Sequence, residues 1–516
     1  MENKKQNIPW QAYEGQPGYF PPAPQKPAFP TGKQELIFGA LTLVFAMLLC
    51  NCLLFGGANL GFAVSLVGTM VCAFCYLRSR GYRPDWYAGA LLTLSLLIAA
   101  SFAWNADSVL KFLMTCLLLA VPSLGLCLTA GKNYYSPNGF LSLLDSPRVL
   151  FGLGLGSMGQ SARGVRDAFR SSGTAAKKGG AVAVGLLIAV PLLAVMIPLL
   201  MFADAAFEGL LALLPEFRWE ECLTTFILGV PLAWALYTRT VALHHVPAAE
   251  KKNETRKGLN PLTVNTVLIA VALMYGTYLL SQLAYFAGGF AGILPEDYTM
   301  AQYARRGFFE MAWLCAINLS IIALSVGLAR CGGKPPRSTR MICLFLGLVT
   351  LFLVTAASAK MFLYIDSYGL TRLRVLTEVF MIWLGLTTVF VCVWLFEPKL
   401  PYMKLVMLTG LVFCAGLMWA DVDAQVARHN VRAYQSGSLE TIDMSHLSRL
   451  NAGAVPYIEE LTGDADPEVA QDARDILADY NTSDYDLRGW NYARIRAAKI
   501  LETYQPKPAA EAAREE

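Results

Sequence analysis

Long apolar segments recur along this chain and constrain its fold more than any other feature of the sequence. The hydrocarbon core of a bilayer is about 30 Å thick, which a helix crosses with about 20 mostly apolar residues. Lipid offers the backbone no hydrogen-bond partner, so segments of this kind are helices or parts of a closed barrel. A barrel would show alternating segments of about ten residues, and the apolar runs here are longer and continuous. The sequence therefore predicts an all-α polytopic membrane protein with about 11 transmembrane helices.

The composition of the chain supports this class. Hydrophobic residues make up 55% and charged residues only 16% of the 516 residues, and the mean hydropathy is +0.44. These values lie outside the range of ordinary soluble proteins. The predicted spans are approximately 36–55, 58–77, 86–104, 109–130, 181–203, 222–243, 262–285, 308–329, 341–364, 375–396 and 405–420.

The Lys and Arg content of the loops alternates from one loop to the next. Basic loops follow the second, fourth, sixth and eighth predicted spans, whereas the turn Asn105–Asp107 has no base and segment 204–221 is acidic. Basic loops stay on the cytoplasmic side of a membrane. The alternation predicts a multi-pass protein of the bacterial cytoplasmic membrane with a cytoplasmic N-terminus and, after an odd number of spans, an extracytoplasmic C-terminus.

Composition divides the chain into three parts. Residues 1–34 are polar and proline-rich and are predicted to be a disordered cytoplasmic arm. Residues 35–420 form the transmembrane domain, in which the basic loop 131–180 is expected to lie partly in the cytoplasmic interface, held by anionic lipids. Residues 421–516 hold 10 Lys and Arg against 18 Asp and Glu, a net charge of −8. This polar segment is predicted to be a small helical extracytoplasmic domain.

Local signals within residues 421–516 indicate helices. Asp466-Pro467-Glu468 is typical of a helix start, with an Asp cap, Pro at the first helical position and an acid near the positive end of the dipole. Amphipathic spacing predicts another helix over about 486–504. Segments 424–434 and 454–462 complete a small helical bundle.

Motifs for catalysis or cofactor binding are weak in this sequence. Gly154–Gly159 matches G-x-G-x-x-G, but its loop is too short for the βαβ unit that binds a dinucleotide. His244 and His245 adjoin without further zinc ligands at the usual spacing. We therefore expect no cofactor and no metal. Nucleic acid is not an expected partner, because the bases are those that the topology rule predicts.

Ionisable residues gather near the outer ends of spans eight to ten. A charged group within a membrane is costly and usually faces a cavity or pairs with another charge. One interpretation is a water-accessible polar pocket; the other is that Lys360 snorkels to the interface and the rest form ordinary interfacial ion pairs. The candidate pocket residues are Arg305, Arg306, Glu310, Lys360, Asp366, Arg372, Arg374 and Glu378.

Several of these positions lie in recognisable motifs. Tyr303-Ala-Arg-Arg-Gly-Phe-Phe-Glu310 opens a predicted span, Tyr368-Gly-Leu-Thr-Arg-Leu-Arg374 precedes another, and Ala203–Phe207, Ala427–Asn430 and Trp490-Asn491 are further matches. Together they resemble a bacterial multi-pass membrane family, domain of unknown function 4173, over about residues 35–502. The resemblance implies a polytopic helical fold and lends no mechanism.

Three classes of function stay open at this point. The first is a non-enzymatic sensor or scaffold of the cell envelope, whose outer helical segment binds an extracytoplasmic protein and whose membrane part anchors it in the lipid bilayer. The second is a transporter with its polar site near the outer face of spans eight to ten. The third is an enzyme acting on a lipid-linked substrate at the outer leaflet, with Glu378 or Asp366 as base. The first is favoured, because the charges lie near one face and no inverted repeat is evident.

Overall fold

Ten helices of the computed structural model are long and apolar enough to cross a membrane, counted over the residues that the structure describes. These residues are 27–171, 219–247, 259–290, 308–329, 335–480 and 489–504, with a few isolated positions between 185 and 200. The described part of the chain is helical and contains no strand. The predicted all-α polytopic membrane fold is confirmed.

The spanning helices follow the predicted apolar segments closely. They are α1 (Lys33–Asn51, extended to Gly56 by a π-helical turn), α2 (Leu60–Ser79), α3 (Trp86–Ala100), α4 (Ser108–Thr129), α6 (Trp219–His245), α7 (Pro261–Phe290), α8 (Phe308–Leu328), α9 (Arg337–Tyr368), α10 (Arg372–Phe396) and α11 (Tyr402–Ala420). An amphipathic helix, α5 (Met158–Ser171), lies in the predicted basic loop. The predicted span 181–203 falls outside the continuously described segments.

In the part of the chain that the structure describes, the spanning helices pack as two groups, and α11 contacts both. Helices α1 to α4 and α6 contact one another, α7 to α10 form a second group around their own apolar core, and α11 packs on both α3 and α10. Because α11 contacts both groups, it positions the segment that follows it against both. This segment, residues 421–504, is called the tail from here on.

The tail is helical, as predicted. It contains α12 (Val422–Gln435), α13 (Pro467–Asp479) and α14 (Tyr492–Leu501), with short helices at Met444–Leu447 and Val455–Glu459. The predicted start of α13 is confirmed, since the Asp466 carboxylate accepts from the Glu468 amide at 2.9 Å. The buried residues of the tail continue the core of α2, α3, α4 and α11, so the tail shares a core with the spanning helices.

The contacts that the loops make with other segments show at which end of the helix bundle each loop lies. Loops 56–60, 101–108 and 369–372 meet the tail, and this end is called the tail end. Segments 27–35, 78–85, 130–160 and 244–246 contact one another at the opposite end, the basic end. For these described segments, those predicted to share a side of the membrane therefore share an end of the molecule.

The end of the N-terminal arm differs from the prediction of disorder over 1–34. Residues 27–34 are folded against the basic end: Phe29 is 6% exposed, its amide donates to the Gln160 carbonyl at 3.3 Å, and its ring stacks on His245. A polar, proline-rich composition does not reveal that one aromatic side chain has a site on other helices. Residues 1–26 lie outside the described part.

A close approach between the arm and α5 requires glycine at position 164. A Cβ on Gly164 would overlap the Phe29 carbonyl oxygen, a backbone atom that cannot rotate away. We expect Gly164→Ala to detach the arm and to speed amide exchange at Phe29 at least about tenfold, since a local opening exposes that amide. Hydrogen–deuterium exchange of residues 27–32 measures it. Gly159→Ala is the matched control, because a Cβ at that position would meet nothing within 4 Å. Equal exchange rates of the Phe29 amide in the two variants would contradict the expectation.

Candidate functional site

Buried polar side chains meet where the tail packs on the spanning helices, and we call this cluster the polar junction. Charged groups are rarely buried unless paired, so a concentration of them marks either a specific structural link or a functional site. All but Arg372 are less than 9% exposed. Its members are Asn59, Asn105, Asp107, Lys111, Arg372, Asp421, Asp423 and Asn491.

Arg372 is the centre of the junction. It is the first residue of α10, and its guanidinium Nε lies 2.7 Å from Asp423 Oδ1 while Nη2 bonds the other oxygen of that carboxylate. The same Nε is 3.2 Å from Asp107 Oδ2. Both carboxylates are fully buried. One cation thus joins the α3–α4 loop, the start of α10 and the first turn of the tail.

The two carboxylates are held in place by backbone amides. Asp107 caps α4 and accepts from the amides of Val109 and Leu110 at 2.9 and 3.0 Å. Asp423 lies in the first turn of α12, where the helix dipole favours an anion, and accepts from the Asn451 amide at 2.9 Å. These bonds fix the positions of both carboxylates, which makes the ion pair with Arg372 a specific link.

Amide side chains attach the tail at two further points. Asn491 donates to the carbonyls of Asn105 and Phe102 at 2.7 and 3.2 Å. Asn430 accepts from the Leu370 amide at 2.6 Å and donates to the Leu370 carbonyl at 2.8 Å. Gly369, beside it, has a φ of +71° that favours glycine. The Ala427–Asn430, Tyr368–Arg374 and Trp490-Asn491 motifs thus meet at the tail end.

Lys111 and Asp421 complete the junction. The Lys111 ammonium, 5% exposed in the first turn of α4, donates to Asn59 Oδ1 at 2.7 Å. Asp421 joins α11 to α12 in a left-handed conformation, with φ 49°. Burial, together with the negative charges of Asp423 and Asp107, raises the pKa of the Asp421 carboxyl to about 6. Its Oδ1 has no hydrogen-bond partner among the described residues.

The structure distributes the predicted pocket residues among different places. Arg372 belongs to the polar junction, whereas Arg374 donates to the carbonyls of Tyr368 and Gly369 and lies over the Tyr364 ring. Lys360 is half-buried on α9, and Asp366 and Glu310 are exposed. Arg305 and Arg306 lie outside the described residues.

Glu378 is buried and takes part in none of the contacts given above for the polar junction. It is 8% exposed on α10 and hydrogen-bonded to Ser358 of α9, and its Oε2 has no partner among the described residues. Arg374, one helical turn away, contacts the end of α9 instead. Spacing along a helix therefore indicated a shared face but not a shared site.

Sequence reasoning missed much of the polar junction, including Asp107, one of the two partners of Arg372. Asp107, Asn105 and Asn59 look like ordinary residues of short loops, and Asn491 like a tail residue. Lys111 is the junction residue that could have been identified from the sequence, because a Lys within an apolar span needs a polar partner. Among the described residues no group of three or more His, Cys, Asp or Glu is placed to hold a metal ion.

The polar groups of the junction largely satisfy one another. Arg372 balances two carboxylates, and the amide side chains bond backbone atoms of neighbouring segments. Such a network fixes the relative position of the segments that contribute to it, because a shift of one segment breaks several charge-assisted bonds at once. The ion pairs and hydrogen bonds of the junction therefore attach the tail to both helix groups.

Comparison with known proteins gives a family without an assigned activity. No curated protein and no solved structure matches the chain. A family model described as Domain of unknown function (DUF4153) matches residues 92–461, which include most of α3, all of α4 to α12 and most of the polar junction. The expected kind of family is thereby confirmed, while the finer assignment to family 4173 is not. The chain belongs to the DUF4153 family of domains of unknown function.

Proposed function

We propose that this protein is a membrane-embedded scaffold or sensor of the cell envelope, whose tail binds a partner protein outside the cytoplasm. The observation that carries the proposal is the ion pair of Arg372 with Asp107 and Asp423, which fastens the tail to the spanning helices. A tail held by a shared core and a buried ion pair can transmit a force or a shift to the membrane part. A tail on a flexible linker could not.

The proposed orientation has support from the grouping of the loops. Arg78, Arg80, Lys132 and Arg148 lie at the basic end, and the acidic tail lies at the other. Positive loops on the cytoplasmic side would then leave the tail outside. Labelling of a cysteine introduced at exposed Glu440 by a membrane-impermeant maleimide in intact cells tests this, and labelling only after cell lysis would overturn it.

In-cell photocrosslinking tests the scaffold function. A photoreactive amino acid at exposed tail positions Glu440, Gln471 or Glu502 should give an adduct of discrete mass. The same amino acid at Trp313, on the exposed face of α8, should not. The absence of an adduct from every tail position would count against a scaffold.

The same assay separates the scaffold from a transporter. The transporter hypothesis has specific support from Glu378, a buried carboxylate within a span. One oxygen of this carboxylate has no hydrogen-bond partner among the described residues. We expect Lys360→Leu and Glu378→Gln to leave the yield of tail adduct unchanged within about twofold, because neither side chain contributes to the polar junction. Proton flux in proteoliposomes that disappears in Glu378→Gln, with adducts absent, would replace the scaffold proposal by the transporter.

A further inference from the structure

Exposed aromatic side chains lie where the tail meets the ends of the spanning helices. The Tyr492 ring, at the start of α14, stacks on the Trp104 ring with 4.2 Å between the centroids. Trp104 directly follows the span that contains α3, and its ring centroid is 6.0 Å from that of Trp419, near the end of α11. The three side chains are between 37% and 43% exposed. They are continuous with the exposed side of α3, because the Trp419 indole donates to the carbonyl of exposed Leu97 at 3.2 Å.

The ends of the spans fix the position of the first residues of α14. The Trp490 carbonyl accepts from the amide of Leu60, the first residue of α2. Asn491 bonds the loop that follows α3, and Tyr492 stacks on Trp104. A spanning helix ends where hydrocarbon gives way to headgroups, so these three residues of the tail lie at the level of the membrane interface. Tryptophan and tyrosine are enriched at this level, because each has an apolar ring and one polar group.

Basic side chains continue this surface along one face of α14. Arg496 and Lys499 follow Tyr492 by four and seven residues, which places the three on one side of the helix, and all are exposed. Neither base forms an ion pair with another described residue. Helix α14 has three basic residues and no acid, whereas residues 421–516 together carry a net charge of −8. An exposed aromatic ring followed by unpaired bases is the pattern of a helix that lies on phospholipid.

We infer that this face of α14, together with Trp104 and Trp419, lies in the phospholipid headgroup layer beside the tail. The rings occupy the boundary between headgroups and acyl chains, and the two bases pair with lipid phosphates. Lys499 lies about 10 Å along the helix axis from Tyr492. The headgroup layer is about 5–8 Å thick, and a long basic side chain bends toward it. The inference goes beyond the proposed function, because it concerns a lipid surface and holds for either orientation of the protein.

Quenching by nitroxide-labelled lipids tests this placement. The full-length protein, with an encoded dansyl amino acid at Tyr492, is placed in nanodiscs of phosphatidylcholine that carries a nitroxide near the top of one acyl chain. We expect quenching at least about threefold stronger than for the same reporter at Gln471, because Gln471 is exposed on α13, which packs on the short helices of the tail. The reporter at Trp490 repeats the measurement, since the bond of Trp490 to α2 uses only its backbone carbonyl.

The other possible surroundings of the aromatic rings give different results. If iodide in the water quenches the reporters at positions 490 and 492 and labelled lipid does not, the rings lie on an aqueous surface open to a soluble ligand, and the inference is wrong. If neither quencher reaches them, protein covers the rings and the inference is equally wrong. Either failure leaves the scaffold proposal intact, because photocrosslinking of the tail depends on a partner protein and not on lipid.

The charge of the lipid tests the basic residues. We expect labelled phosphatidylglycerol to quench the reporter at Tyr492 about twofold more than labelled phosphatidylcholine at the same mole fraction, because the bases concentrate anionic headgroups. R496Q/K499Q should lower this ratio to about one, since no unpaired base then remains on this face. R449Q/R474Q is the matched control, because it removes the same charge at exposed tail positions outside α14. An unchanged ratio in R496Q/K499Q, or an equal fall in both double variants, would overturn the pairing with lipid phosphates.

Discussion

Arg372→Gln is expected to lower the free energy of unfolding by about 3 kcal/mol, because removing one partner of a buried ion pair leaves the other charge uncompensated. Here two carboxylates lose their cation at once. Asp107 and Asp423 are fully buried and cannot recover hydration without opening the interface between tail and bundle. Arg372 itself is 29% exposed, so the main cost falls on the two acids.

Thermal unfolding of the purified protein in nanodiscs measures this effect. Arg432→Gln is the matched control, since Arg432 is exposed on α12 of the same tail, and it should change stability by less than about 0.5 kcal/mol. Arg372→Lys should recover only part of the loss, because an ammonium cannot make the paired bonds of a guanidinium to Asp423.

Neutralising Asp107 and Asp423 tests whether their uncompensated charges cause the loss of stability in Arg372→Gln. Asp107→Asn and Asp423→Asn, combined with Arg372→Gln, should restore part of the stability, since neither former partner of Arg372 is then left as an uncompensated buried carboxylate. A single Arg372→Gln variant as stable as Arg432→Gln would show that the ion pair does not fasten the tail.

The membrane helices were predictable because lipid leaves a long apolar segment few alternatives. The predicted span 341–364 corresponds to a helix over Arg337–Tyr368, and 405–420 to Tyr402–Ala420. The start of α13 was predictable for a local reason, since Asp466 and Pro467 each favour the first turn of a helix. Both inferences depend only on neighbouring residues or on mean hydropathy.

The partners in the polar junction were not predictable in the same way. Arg372 was expected near Arg374 and Glu378, which follow it on one helix, yet its partners come from the α3–α4 loop and the tail. Which distant acid meets a given Arg depends on how the helices pack. No local pattern records that packing. The same holds for Phe29, whose site is formed by α5 and α6.

Asp421 should make the protein more stable as the pH falls from about 7.5 to about 5, the reverse of the usual behaviour of a carboxylate. Its pKa is about 6 in the folded protein, against 3.8 for an Asp side chain in water. The folded state therefore takes up a proton in a range where the unfolded state does not, and stability rises as the pH falls through 6. The increase in the free energy of unfolding levels off below the pKa that Asp421 has in the unfolded chain, and it amounts to about 3 kcal/mol at most.

Asp421→Asn tests the assignment, because an amide has the same shape, carries no charge and tolerates the left-handed conformation. We expect this variant to unfold at a higher temperature than the wild type at about pH 7.5 and to lose the rise in stability between about pH 7.5 and 5. The control Asp472→Asn neutralises an exposed acid of α13 and should keep the wild-type pH profile. Were Asp421→Asn less stable at about pH 7.5, the ionised carboxylate would be a favourable partner of Lys111 within the junction, and charge balance rather than burial would govern this site.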